Sequence, residues 1–385
     1  MLRTFTLSLL LSSFALSCQV PVFRYALERW QADKYRLQII HKKPLVRGPQ
    51  DLIDQAKSQS EANPSTLNLE IETIDANALT EAEQWSIPGL EMIETFPSHV
   101  LTAPDDLNIT EPILLANTTK SSLGALMQSP ARSEIIKRLL NGDSTVYLHI
   151  LSGDKSKDQA VRKILDEALI EAQKSISLPE GVIRPDQIAE AQSQGEIDFE
   201  DVLRSSVPLK IAFTVLSLDP NSPEEQEFIK ILLKGKSMAQ LPEPSFIAPI
   251  FGRGRCLGLI PASKVSRTII IDQCQYLCNA CACSVKSQNP GYDLVMQANW
   301  DKQIADSTVI IDKDLPELTG TGDFLSDDPP RKENQPSAQS ENMVHSREPH
   351  TIQSSLKRNL IIATGMISLL LLAGLIYYKR SNKQF

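Results

Sequence analysis

Five of the six cysteines, Cys256, Cys274, Cys278, Cys281 and Cys283, fall within 28 residues, and Cys18 stands apart. Thiolates are nucleophiles and soft metal ligands, so the run Cys274-x3-Cys278-x2-Cys281-x-Cys283 admits three readings. Four thiolates suit zinc, Cu(I) or an iron–sulfur cluster. A close pair, Cys278/Cys281 or Cys281/Cys283, suits thiol–disulfide exchange. Buried small side chains, or disulfides in an oxidising compartment, need no chemistry at all. Spacing alone does not fix connectivity. Helical periodicity places Cys274, Cys278 and Cys281 at i, i+4 and i+7, on one face. A redox CxxC works where it opens a helix, because the positive end of the dipole lowers the thiol pKa. Here the pair closes one, which favours the structural reading.

Other chemistry is sparse. Arg253 and Arg255, in Gly252-Arg-Gly-Arg255, offer two guanidinium groups for an anion or a partner carboxylate. The alternative is a solvated edge strand relieved by glycines. Gly235-Lys236-Ser237 lacks the earlier glycine of a phosphate loop, since that position is Lys230. The five histidines include no HExxH pair. No metal and no cofactor is implied beyond the cysteine alternatives.

The chain has 385 residues, 39 Lys and Arg against 47 Asp and Glu, and a net charge of −8. At 42% hydrophobic it can build a core. An acidic balance with 5% aromatics excludes a general nucleic-acid binder. The body, about 19–312, reads in two parts. Tyr35–His41 and the alternating Leu67–Ile74 predict strands, with a short helix over Asp51–Ser58 between them. Pro21–Trp30 has helical spacing, Pro88–Phe96 reads as a further strand, and Thr102–Lys120 as a boundary. The second part is clearer. Ser129 caps a helix opened by Pro130 and stopped by Gly142. Thr145–Leu151 is a strand, and Val161–Ile176 carries one amphipathic stripe. Val207–Leu218 reads as a central strand. Ser222-Pro-Glu-Glu225 reads as a capping box for a helix. Two strands then surround Gly252-Arg-Gly-Arg255, and Ile269–Cys278 is a last helix. This order, strand, helix, strand, helix, strand, strand, helix, is that of the thioredoxin fold. Its redox position, after Leu151, reads Ser152-Gly-Asp154-Lys155-Ser156 and holds no thiol.

The ends carry membrane signals. Residues 1–17 combine Arg3, a short apolar stretch and Ala15-Leu16-Ser17, as in a signal peptide. Cleavage there would leave Cys18 first, where a bacterial lipoprotein is lipidated. Residues 360–378 are uncharged and long enough to span a bilayer. Residues 313–355 read as a disordered tether and 379–385 as a basic cytoplasmic tail.

The segment Cys18-Gln-Val-Pro-Val-Phe-Arg-Tyr-Ala-Leu-Glu-Arg-Trp30 resembles the start of an uncharacterised family of exported, membrane-anchored bacterial proteins. Phe251-Gly-Arg-Gly-Arg255, Cys281-Ala-Cys283-Ser-Val-Lys286 and Asn289-Pro-Gly291 carry the same resemblance, which spans most of 18–312. It implies a shared design and company with membrane transport machinery. It brings no established activity, so no catalytic residue transfers.

The expectation is an α/β protein. A small α/β unit (18–115) precedes a thioredoxin-like domain (128–312), with one C-terminal transmembrane helix. Its function would be that of a single-pass extracytoplasmic scaffold or accessory protein. It would bind a protein partner and no nucleic acid. The competing expectation is a thiol–disulfide or metal-handling protein built on the 274–283 cysteines.

Overall fold

A computed structural model describes residues 18–195, 197–281 and 285–305. Cys283 and the stretches read as signal peptide, tether, membrane span and tail lie outside the described residues. Among those described, no helix is long and apolar enough to cross a membrane.

In chain order the first elements are α1 (Val22–Arg29), β1 (Tyr35–His41), α2 (Arg47–Glu61), β2 (Leu69–Asp75) and α3 (Glu81–Trp85). Then come β3 (Ser98–Thr102), β4 (Leu114–Asn117), α4 (Lys120–Met127), α5 (Pro130–Leu140) and β5 (Thr145–Ile150). They are followed by α6 (Lys155–Ser175), α7 (Ile188–Gln194), β6 (Phe213–Leu218), α8 (Gln226–Leu232), β7 (Phe246–Phe251) and β8 (Arg255–Cys256). The last are β9 (Ile260–Pro261), α9 (Arg267–Cys278), β10 (Tyr292–Asp293) and α10 (Trp300–Ala305).

Two sheets result. The first has the order β2-β1-β3-β4, with β1 parallel to β2 and the other pairs antiparallel. The second runs β10-β8-β7-β5-β6, with β9 beside β7, β5 parallel to β6 and the other pairs antiparallel. Each sheet thus repeats one plan. A central strand pairs with its parallel neighbour across a helix, then with an antiparallel strand that turns into another.

Several expectations change. Pro88–Phe96 forms no strand, because Gly89 takes a left-handed φ of +76° and a short 3-10 turn follows at Leu90–Met92. The strand begins at Ser98. Thr102–Lys120 is no boundary, since β4 lies within it and closes the first sheet. Only the last six residues of Val207–Leu218 form a ladder strand, and that strand is at the sheet edge. Pro208 lacks an N–H for the ladder. The run is apolar because it packs on both sides. Phe213 and Val215 join the α6 cluster, and Leu216 joins the main core. Ser222 does not cap with its side chain. Glu225 instead accepts from the Ala131 N–H at 2.7 Å, near the start of α5. The helix α9 ends at Cys278, so Cys281 lies past its cap and not on its face.

One hydrophobic cluster serves both sheets, joining Leu37, Ile39 and Leu101 to Val146, Leu148 and Ile150. The first and last described segments cross over. The helix α1 precedes the first sheet, yet Phe23 and Ala26 pack with Phe251, Leu277 and Cys278. Residues after β10 return to the first sheet, where Met296 N–H donates to Asn68 Oδ1 at 2.8 Å and Ala298 N–H to the Thr66 carbonyl at 2.8 Å. Arg132 fastens the middle. Its guanidinium is fully buried and donates to the Leu126 carbonyl at 2.6 Å and to that of Ala125, the final turn of α4. Those carbonyls have no partner within the helix. Burial pushes the Arg132 pKa down to about 9, against the pull of Glu225 and Glu227.

Candidate functional site

The residue motifs meet at one place. Two glycines explain why. The turn between β7 and β8 runs through Gly252 (φ +58°) and Gly254 (φ +91°), a backbone region that side chains disfavour. A Cβ on Gly252 would lie 2.6 Å from Ala26 Cβ, and one on Gly254 would lie 2.5 Å from Met296 Cγ. The turn therefore wedges between α1 and the returning C-terminal segment.

The arginines of this turn reach inward. Both residues are 5% exposed, so the solvated-edge reading does not describe them. Arg253 donates Nε to the Leu27 carbonyl at 2.8 Å and Nη1 to Gln31 Oε1 at 3.1 Å, and pairs with Asp301 at 2.6 Å. It caps the last turn of α1, where the carbonyls need donors. Arg255 pairs with Asp293 at 3.1 Å. It also donates to the Pro290 and Asn289 carbonyls at 3.2 and 3.0 Å. Its guanidinium carbon sits 5.8 Å from the Trp30 ring centre. The acceptors these two arginines reach are the chain's own.

Lys286 completes the network. Its ammonium donates to the Gln31 carbonyl at 2.6 Å, pairs with Asp33 at 2.7 Å and also meets Asp293. Burial pushes the Asp33 carboxyl above its usual range, the Asp293 charge pushes further, and Lys286 pulls it back. Two cations thus face two carboxylates. A polar cleft of about 530 Å³ opens beside them, walled by Arg255 and Lys286 and rimmed by Arg36, Glu70, Asp105 and Asp106.

Within α1, Arg24 and Glu28 pair at 2.8 Å with both side chains fully buried. Glu28 accepts from the backbone N–H groups of Arg204 and Ser205 at 2.8 and 3.1 Å. A buried ion pair needs such extra donors to offset lost hydration. Sequence reasoning assigns no role to this pair or to Lys286, although all three residues lie within its motifs. The signal available was an Arg and a Glu four apart inside an apolar helix.

The described thiols take no part in this network, although Cys256 follows Arg255 on β8. Cys18, Cys256, Cys274 and Cys278 are free. Cys274 Sγ lies 3.2 Å from the Tyr147 hydroxyl. Burial pushes the Cys274 and Cys278 thiols up to about 12 and Cys256 up to about 11. Cys281 is buried, its N–H donating to the Val20 carbonyl at 3.0 Å. Cys18 is half-buried, with Sγ 3.0 Å from the Glu200 carbonyl, and burial raises its thiol too. Among the described residues no group of three or more His, Cys, Asp or Glu side chains is placed to hold a metal. The helix after each central strand opens without a thiol, at Val46-Arg47 for α2 and at Asp154-Lys155 for α6. Asp154 caps α6 by accepting from the Ser156 N–H at 3.0 Å. Among the described residues the arrangement holds segments together, and the thiols at 18, 256, 274 and 278 all have raised pKa values.

No family model and no curated protein matches the chain. Among solved structures it is similar to the first two thioredoxin domains of Saccharomyces cerevisiae Eps1p. The identity is 13%, over 63% of this chain and 92% of that one, with a TM-score of 0.20. At that score the likeness carries no weight for fold or function.

Proposed function

We propose that this chain is a non-catalytic scaffold, two thioredoxin-like units in series held at the outer face of a membrane, that binds a protein partner within a membrane transport complex. One observation carries the reading. The helix after each central strand opens without a thiol, while the free thiols at 256, 274 and 278 are buried with raised pKa values. A thiolate is the reactive form, so these groups are poor nucleophiles near neutral pH. The matching strand orders, β2-β1-β3-β4 and β6-β5-β7-β8, support the thioredoxin-like assignment of both units. A fold without its chemistry remains available as a binding surface. The uncharged stretch 360–378 and the leader-like 1–17 support the membrane placement.

The test uses the full chain, purified from an oxidising compartment. Expected are no stoichiometric metal, no fast-reacting thiol, and one protein recovered repeatedly by crosslinking in native membranes. Stoichiometric zinc, copper or iron, or a thiol that reacts rapidly at pH 7, would establish the thiol or metal reading instead. Repeated crosslinking that recovers no partner would remove the scaffold reading.

A further inference from the structure

Charge is distributed unevenly along the body. From residue 58 to residue 119 there are eleven acidic residues and neither Lys nor Arg. Within this stretch, the connection between β2 and β3 places its apolar side and its acidic side differently. Ile87 is buried with Ile40, Ile74 and Val100, and Leu90 and Ile93 pack against that cluster. Trp85 is not part of it and is 85% exposed. It closes α3, which is fixed by a reciprocal cap. Thr80 accepts from the Glu83 N–H at 3.3 Å, and the Glu83 carboxylate accepts from the Thr80 N–H at 2.8 Å. Met92, 50% exposed, follows on the 3-10 turn. Glu81, Glu91 and Glu94 are exposed and form no ion pair among the described residues.

Exposed Trp on a preformed turn is unfavourable in water and is the residue type most enriched at binding hot spots. Carboxylates outnumber cations on this connection, where Lys42 lies 4.2 Å from the Phe96 ring centre, and that balance decides what covers it. Nucleic acid and anionic lipid would be repelled by it. Lys and Arg side chains would be attracted both to the carboxylates and to the indole face. We propose that the Trp85 face of the β2–β3 connection docks a basic, amphipathic segment of a partner protein. Basic side chains meet Glu81, Glu91 and Glu94 as Trp85 is buried. This rests on the scaffold reading and names the chemistry of its partner.

The test titrates the full chain, in a neutral detergent, into a labelled 16-residue amphipathic peptide with Lys on its polar face. A Glu-faced peptide of the same apolar residues is the control. Trp30 and Trp300 are 6% and 5% exposed, so Trp85 is the described tryptophan open to a soluble quencher. Expected are binding of the Lys peptide alone, protection of Trp85 from acrylamide, and weakening several-fold as salt rises from 50 to 300 mM. Trp85→Ala and the double variant Glu91→Lys/Glu94→Lys should each weaken binding at least tenfold. Glu190→Lys, on α7, should leave it unchanged. Equal binding by all variants would show unspecific charge attraction and overturn the proposal. So would no binding, preference for vesicles, or protection of Trp85 by a second copy of the chain. Native-membrane crosslinking that recovers one protein equally from wild type and from Trp85→Ala would leave the scaffold standing and remove this surface from it.

Discussion

Arg253 donates its Nε hydrogen to the Leu27 carbonyl at 2.8 Å across 226 residues of sequence. With Asp301 on its other side, at 2.6 Å, it joins α1, the β7–β8 turn and the C-terminal segment. Two segments far apart in sequence are thus held by one side chain.

Replacing that side chain should be costly. Arg253→Met leaves the Leu27 carbonyl and Asp301 without their donor, and each is largely shielded from water. Breaking a buried charged pair from one side typically costs about 3–5 kcal/mol. Asp301 keeps some solvent contact, 26% of its side chain, so we expect about 3 kcal/mol. Arg253→Lys should recover part of this, because an ammonium can reach one acceptor but not the forked set. Urea midpoints of the two variants check the order. Equal midpoints for wild type and Arg253→Met would show that the bonds carry no net stability.

The buried thiols should behave as packing. A rise from the ordinary thiol value of 9.0 to about 12 lowers the thiolate fraction at neutral pH on the order of a thousandfold. Alkylation of Cys274 and Cys278 in the folded protein should therefore be slower by at least that factor than in urea. Peptide mapping after timed iodoacetamide exposure measures this residue by residue. Comparable rates with and without urea would mean that these thiols are not buried in solution.

His99 gives a pH dependence of known sign. It is fully buried, with Nδ1 3.3 Å from Thr118 Oγ1, and burial lowers its pKa from 6.5 to about 4. The unfolded chain therefore takes up this proton first as pH falls. Its contribution is whole above pH 6.5 and is lost progressively down to about pH 4. The loss is roughly 3 kcal/mol, since each tenfold weakening of proton binding is worth about 1.4 kcal/mol. In His99→Gln the slope of stability against pH should be shallower in that window by this amount. Parallel slopes for the two proteins would rule the assignment out.

The sequence made some of this plain and hid the rest for physical reasons. β1 was legible end to end, as were the capped start and the stop of α5, because period and caps are local. The edge position of β6 was not, since packing on both faces gives an apolar run like that of a central strand. β4 was missed because four residues between Pro112 and the Thr119 cap of α4 hold too short a period to see. The roles of Arg253 and Arg255 depend on acceptors at Leu27 and Asp293, and no local pattern announces a distant carbonyl. The cysteines were visible as a cluster, but their burial follows from which side of α9 meets α6 and α1.

Gly252 offers the sharpest test of how the halves lock. Its φ of +58° costs an alanine roughly 1–2 kcal/mol before any contact is counted. The added Cβ would also lie 2.6 Å from Ala26 Cβ and 3.2 Å from the Ala26 carbonyl carbon, where α1 cannot yield without leaving Phe251 and Leu277. Gly252→Ala should therefore destabilise by about 3 kcal/mol or more, strain and overpacking together. The two causes separate in a double-mutant cycle. Ala26→Gly alone costs about 1 kcal/mol in helix propensity. If the methyl clash matters, the double variant will be more stable than the sum of the singles predicts, by about 1 kcal/mol or more. If the cost is backbone strain alone, the two changes will simply add, and the close approach of α1 to the turn will not be what holds it.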